Sequence, residues 1–440
     1  MKIRNGMAAA LVVIAGACGG SSSTQKVEHA AAPPPPPAPA AAQKIERDVS
    51  GEAQKDFTRA VAFYQEKAKG GWSRDSCVSA ARRFEEVAGA YNKMVEARYN
   101  AGLAYQNCRM FKDAESQYEA ALAIQSSHAP SLSNLGQIYY QGGNEQRARQ
   151  YWERAVQADV KITAARNNLA WLMIRQVRDH KASLRDSEEK ILSQLRSVLA
   201  VENDNVEAYV LLSLLYMEGS DKNKSRLTLA KLLLDKAREY GEKYAPLYNA
   251  RGLLELESDN VAQALDEFQK AVAIDGDFVE ARMNVGNIVL GFRKYQEASQ
   301  QFNAVLGRQP KNYDAIVGLG IAQRGLKQLD QAEKSYRKAA DLDQTRAEAY
   351  FNLGVLYKDF RANQTQDLRA AQNYYRTAIK YFQQSSGKTS ADPDIERDAR
   401  DNLSDCEKNL RSLDEAIRTQ ASQPAKADKP ADKPEGGEGK

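Results

Sequence analysis

The sequence predicts an all-α fold, and three observations carry that prediction. Small and aromatic side chains return to the same slots with a period of about 34 residues. Within each unit those slots are separated by helix-like steps of three, four and seven. Beyond the last unit, Ile395, Ala399, Leu403, Cys406, Leu410, Leu413 and Ile417 form one apolar stripe at helical spacing. A chain of 440 residues with 42% hydrophobic content and a mean hydropathy of −0.62 buries a large core across more than one compact unit.

The N-terminus comes first. Lys2 and Arg4 precede an apolar run from Met7 to Ala17, which fits a secretory signal and is too short for an anchor helix. Residues 1–17 are therefore expected to be a signal peptide. Ala15-Gly16-Ala17 satisfies ordinary signal peptidase, and "IAGAC" also resembles a bacterial lipobox, so both alternatives cut before Cys18. Under the second, Cys18 becomes a lipidated N-terminus and the only membrane attachment. The longest apolar run in the body, Tyr209 to Met217, is nine residues, against the roughly 20 that span a bilayer. Residues 18–50, with "GGSSSTQ" and "AAAPPPPPAPAAAQ", read as a tether with little apolar mass to bury.

The repeats follow. With the unit started at Val95, positions 8, 20 and 27 hold Gly102, Ala114 and Ala121, and positions 11 and 24 hold Tyr105 and Tyr118. The unit that follows puts Gly136, Ala148, Ala155, Tyr139 and Trp152 in the same slots. The period returns at Ala245 with Gly252, Gly286 and Gly320 at position 8, and Phe268, Phe302 and Tyr336 at position 24. Small residues let two antiparallel helices approach closely, while the large ones are expected to fill the gaps to the next unit.

This period and pattern resemble the tetratricopeptide repeat, a helix–turn–helix unit of about 34 residues. The resemblance implies a right-handed superhelical solenoid in which stacked units bury what one unit cannot. It covers about residues 55–382 as about nine repeats. Repeat 1 is degenerate around "GGWSRDSC". Repeats 4, 5 and 9 carry about nine, five and four extra residues, expected to project at the turn between each repeat's helices. Residues 392–420 then read as a capping helix over the last repeat, with a coiled-coil dimer arm as the alternative. Residues 421–440 are a Lys/Pro/Glu tail without periodicity.

No reaction is expected. His29, His128 and His180 sit in no metal spacing, no Gly-rich phosphate loop precedes a helix, and no nucleophile stands out from helix surface. Neither cofactor nor small-molecule substrate is implied. Lys plus Arg number 62 against 58 acids, and removing residues 1–17 leaves 60, a balance that argues against nucleic acid. Four cysteines are too few for a disulfide scaffold and match no zinc spacing. Cys77 and Cys108 lie near the turns of adjacent repeats, so an oxidising compartment permits a bridge; two small buried residues are the plain alternative.

By family resemblance, positions 5, 9 and 12 of each repeat line a concave groove that takes a helical or extended segment of a protein partner. Repeats 2 and 3 place Tyr99, Leu103, Gln106, Ser133, Gln137 and Tyr140 there. Repeats 4 to 6 add Trp171, Ile174, Val210, Leu214, Met217, Leu253 and Leu256, with Asn167 and Asn249. Repeats 7 and 8 continue with Met283, Asn287, Leu290, Val317 and Ile321, so the middle of the groove is expected to be apolar, with Trp171 and Met217 as anchors. The opposing expectation is that curvature hides some of them. Positions 5 and 9 of repeats 2 to 9 hold no Lys or Arg, which argues against a carboxylate clamp. The whole chain is similar to outer-membrane tetratricopeptide lipoproteins of Gram-negative bacteria, most of all the gliding-motility lipoprotein of myxobacteria. That implies a periplasm-facing scaffold in a trans-envelope machine. A pilotin-like, β-barrel assembly or polysaccharide-export accessory is the alternative, as is a soluble periplasmic location.

Overall fold

The computed structural model describes residues 9–12, 25–28, 51–390 and 394–422. Cys18, most of the expected signal and tether, and the tail beyond Ser422 lie outside them. Within the N-terminal segment, Ala9–Val12 (β1) pairs antiparallel with Gln25–Glu28 (β2), Ala10 opposite Val27. The sequence reading expected no strand there. An isolated two-stranded ribbon is marginal in water.

Among the described residues the body is nine antiparallel helix pairs and one further helix. The pairs are Gly51–Lys69 and Arg74–Ala90 (α1, α2), Val95–Asn107 and Phe111–Ile124 (α3, α4), Ala129–Gln141 and Glu145–Ala158 (α5, α6), and Thr163–Arg178 and Leu184–Val201 (α7, α8). Next come Val206–Met217 and Ser225–Tyr240 (α9, α10), Ala245–Glu257 and Val261–Ile274 (α11, α12), and Val279–Gly291 and Tyr295–Arg308 (α13, α14). Tyr313–Gly325 and Leu329–Leu342 (α15, α16), then Glu348–Val355 and Leu368–Ser385 (α17, α18), complete the pairs, and Ile395–Ser422 is α19. The body divides into two compact units, residues 51–284 and residues from 285 onward.

Helix starts follow local chemistry. Ser73 and Ser76 form a reciprocal capping box before α2. Asn144, Asn205, Asn312 and Asp367 cap α6, α9, α15 and α18 by accepting backbone N–H groups. Pro130 and Pro246 stand in the first turns of α5 and α11, where a missing N–H costs nothing. The turn inside a repeat uses a left-handed residue at position 15: Arg109, Gly143, Asp259, Arg293 and Lys327 all have φ between 56° and 81°.

The repeat slots pack differently from expectation in one respect. Instead of filling the gap to the next unit alone, the position-24 aromatic lies over its own repeat's position-8 glycine. A Cβ on Gly102, Gly252 or Gly320 would stand 2.5 Å from the ring of Tyr118, Phe268 or Tyr336. Absence of a side chain is what admits the ring. Phe302 does both jobs, meeting Gly286 of its own repeat and Gly318 of the next. The position-11 tyrosines make the backward link: Tyr105, Tyr139 and Tyr357 donate their hydroxyls to Glu85, Glu115 and Glu333 of the preceding repeat, at 3.0, 2.5 and 2.7 Å.

The insertion of repeat 5 lies at the turn as expected, residues 218–224 between α9 and α10, while those of repeats 4 and 9 do not simply project there. In repeat 4 most of the extra length extends the helices, α7 to 16 residues and α8 to 18, against 13 and 14 in α5 and α6. In repeat 9 the first helix continues from Val355 into a π-helical stretch, Leu356–Ala362, a rare conformation that appears mostly as a bulge inside an α-helix. The second helix is displaced in consequence, and Phe382 rather than Tyr375 covers Gly354. Helix α19 packs along α18, with Ile395, Ala399 and Cys406 buried in a cluster with Phe351, Tyr375 and Phe382. The buried Lys358 ammonium donates to Asn402 Oδ1 at 2.7 Å, fixing α19 to repeat 9.

Candidate functional site: the first-helix layer

In the unit of residues 51–284, first helices pack on first helices: α5 on α7, α7 on α9, and α9 on α11. The second helices form the outer layer. A docking face, if built from the first helices, is therefore continuous from repeat to repeat.

Most residues expected to line this face are already covered by their neighbours. Tyr99, Tyr140, Trp171, Ile174, Val210, Met217 and Leu253 in the first unit are each less than 9% exposed, as are Leu290, Val317 and Ile321 in the second. Leu214, Leu256 and Met283 are half-buried and keep open surface. Trp171 meets Tyr140 edge-on with ring centroids 5.0 Å apart. Arg175 lies over both rings, donates to the Tyr140 hydroxyl, and pairs with Glu145 at 3.1 Å and Asp179 at 3.6 Å. Trp171 and Met217, the expected anchors, are thus packed members of the layer, and the open apolar contacts fall to Leu214, Leu256 and Met283.

Polar chemistry at position 2 escaped the sequence reading, which followed positions 5, 9 and 12. An acid recurs there in "VEAR", "VEAY", "VEAR", "YDAI" and "AEAY": Glu96, Glu207, Glu280, Asp314 and Glu348. That recurrence was the available signal. Burial pushes the Glu207 carboxyl up to about 7, against a hydrogen bond from Asn167 that opposes it. Burial likewise pushes Glu280 up to about 8. Burial first, then the carboxylates of Glu145 and Glu280, raise the Tyr140 phenol, while Arg175 works the other way. Glu280 in repeat 7 is therefore in electrostatic reach of Tyr140 in repeat 3.

The second unit treats the same slot differently. Asp314 pairs with Arg346 at 2.7 Å, and Arg346 also pairs with Glu348 at 3.2 Å while lying 3.9 Å over the Tyr313 ring. Among the described residues neither Glu207 nor Glu280 has such a cationic partner.

One asparagine contacts Glu207, and an asparagine pair links α11 to α13. Asn167 Nδ2 donates to Glu207 Oε2 at 2.8 Å and Asn205 Oδ1 at 3.2 Å, and Asn284 Nδ2 donates to Asn249 Oδ1 at 2.9 Å. The side-chain oxygens of Asn167 and Asn284 are buried without a hydrogen-bond partner. Such orphans are uncommon in folded proteins and call for a reason.

Near the N-terminal end, Cys77 on α2 and Cys108 at the end of α3 are joined in a disulfide, with Cα atoms 6.2 Å apart. Cys406 is a buried free thiol. Among the described residues no group of three or more His, Cys, Asp or Glu is placed to hold a metal ion, and no helix is long and apolar enough to cross a membrane.

This architecture is a tandem array of helix pairs with the fold of the tetratricopeptide repeat. Residues 109–178 and 249–313 match the tetratricopeptide repeat family model, and residues 324–359 match a second TPR repeat model. Among curated proteins, human protein O-mannosyl-transferase TMTC1 is 25% identical over 249 residues, 57% of this chain and 26% of that protein. Bovine BBSome complex member BBS4 is 22% identical over 278 residues, 63% of this chain and 51% of that protein. The chain thus spans about a quarter and a half of these relatives. Among solved structures, a monomeric IFIT1 mutant with Gppp-AAAA shares the fold at a TM-score of 0.52 and 14% identity, covering 77% of this chain and 82% of that one.

Proposed function

We propose that the protein is an exported, lipid-anchored scaffold that holds protein partners on its first-helix layer at the periplasmic face of the outer membrane, within a gliding-motility or similar trans-envelope machine. It carries out no reaction of its own. The observation that carries the docking part is the continuous first-helix layer from α5 to α11, with open apolar surface at Leu214 and Leu256 and, on α13, at Met283. The Cys77–Cys108 disulfide supports export, because such bonds persist in oxidising compartments and are rare in a reducing cytosol. Attachment through Cys18 is the one route to the membrane in this reading, and cleavage before Cys18 separates β1 from β2.

One experiment with two arms tests this. In envelope extracts, Leu214→Glu is expected to lose the partners that the wild-type protein captures, while Leu232→Glu on the outer helix α10, where Leu232 is 61% exposed, keeps them. Equal recovery with both removes the docking face. In fractionated cells, Cys18→Ser moves the protein from the membrane pellet to the soluble fraction; persistence in the pellet shows that something other than a lipid holds it.

A further inference from the structure

Five repeats present an acid at position 2, and the two units handle it in opposite ways. In the second unit Arg346 supplies the positive charge, touching Asp314, Glu348 and the Tyr313 ring at once. In the first unit Glu207 takes its hydrogen bond from a neutral amide, Asn167 Nδ2, and the side-chain oxygens of Asn167 and Asn284 are buried without a hydrogen-bond partner. Asn167 is 1% exposed and donates to Glu207, while Asn284 is 2% exposed and follows Glu280 by four residues on one face of α13. Half-buried carboxylates without a countercharge lose part of their hydration, and the cost is relieved by a cation that brings its own N–H donors.

We propose that the first-helix layer of residues 51–284 recognises an extended, lysine- or arginine-bearing segment of a partner protein, with cationic side chains seated against Glu207 and Glu280 and donating to the Asn167 and Asn284 oxygens. The inference rests on the first-helix layer being the docking face and adds the chemistry of what docks. Arg346 shows the arrangement in miniature: one guanidinium satisfies two position-2 acids and stacks on an aromatic ring. In the first unit Tyr140 is already covered by an arginine of the layer. Its own arginine, Arg175, is already neutralised by Glu145 and Asp179, so the net demand at this face is for positive charge.

The test uses the full chain and three fluorescein-labelled synthetic peptides alike except for Lys, Gln or Glu at alternate positions, with anisotropy read at physiological salt. The Lys peptide is expected to bind about tenfold or more tighter than the Gln peptide, a difference typical of a desolvated charge pair, and the Glu peptide not to bind. Combining Glu207→Gln with Glu280→Gln removes that advantage. The same loss of charge on the outer helices, Glu119→Gln with Glu153→Gln, leaves it intact. Equal affinity for the Lys and Gln peptides, or equal loss from the outer pair, overturns the proposal. Thermal melts at pH 8 guard against misfolding: neutral glutamine relieves the buried charge, so the inner pair melts no lower than wild type. If the Lys peptide fails while Leu214→Glu still abolishes partner capture, the docking face stands and its charge preference falls; if both fail, both readings fall.

Discussion

Replacing Gly136 by alanine destabilises the protein by about 3 kcal/mol, while the same substitution at Gly89 stabilises it by about 0.5–1 kcal/mol. Both glycines are helical. A Cβ on Gly136 would lie 2.5 Å from Trp152 Cδ1, and nothing lies within 4 Å of one on Gly89. The ring cannot retreat cheaply, since Trp152 is fully buried and its Nε1 donates to the Ser133 carbonyl at 3.0 Å. Moving it strands a buried donor as well as straining the contact. At Gly89 the added methyl only trims the freedom of the unfolded chain. Repeats 4 and 5 indicate the compensation: where position 8 is Ala170 or Ser213, position 24 is Leu195 or Leu234, all four fully buried. Trp152→Leu is accordingly expected to recover part of the Gly136→Ala loss, read as coupling in a double-mutant cycle by urea unfolding. Strict additivity of the two changes contradicts the slot pairing.

Reducing the Cys77–Cys108 bond, or replacing both cysteines with serine, costs about 3–4 kcal/mol, the loop-closure entropy of a bridge with a sequence separation of 31. The loss is confined. In stacked repeats each unit leans only on its neighbours, so hydrogen exchange is expected to speed up in α1 to α4 and stay unchanged from α9 onward. Uniform loosening of the whole chain contradicts a nearest-neighbour stack. Unchanged exchange in α1 to α4 shows that the bridge adds nothing to stability.

The nine helix pairs were legible because their signal is redundant: Gly102, Gly136, Gly252, Gly286 and Gly320 at position 8 are each answered at position 24, by Tyr118, Trp152, Phe268, Phe302 and Tyr336. The apolar stripe from Ile395 marked the closing helix α19. Three features were not legible, each for a physical reason. The left-handed position 15 is held by Arg109, Asp259, Arg293 and Lys327, residues that carry no turn signal of their own. The repeat 9 insertion could have looped out; that it enters the helix as a π-helical stretch depends on α18 and α19 packing against it. Trp171 and Met217 looked like anchors because slot position gives direction and not depth, and neighbouring repeats close over them. The position-2 acids were visible as text, but only the contrast between the Arg346-paired acids and Glu207 and Glu280 gives them meaning.

Site-specific photo-crosslinking in living cells tests most directly whether partners are held on the first-helix layer. A photoreactive residue at Leu214, Leu256 or Met283 is expected to form covalent adducts with a discrete partner, while the same probe at Leu232 or Val160, 61% and 66% exposed elsewhere on this unit, forms none. Adducts from Leu232 or Val160 with none from the first-helix positions would contradict it.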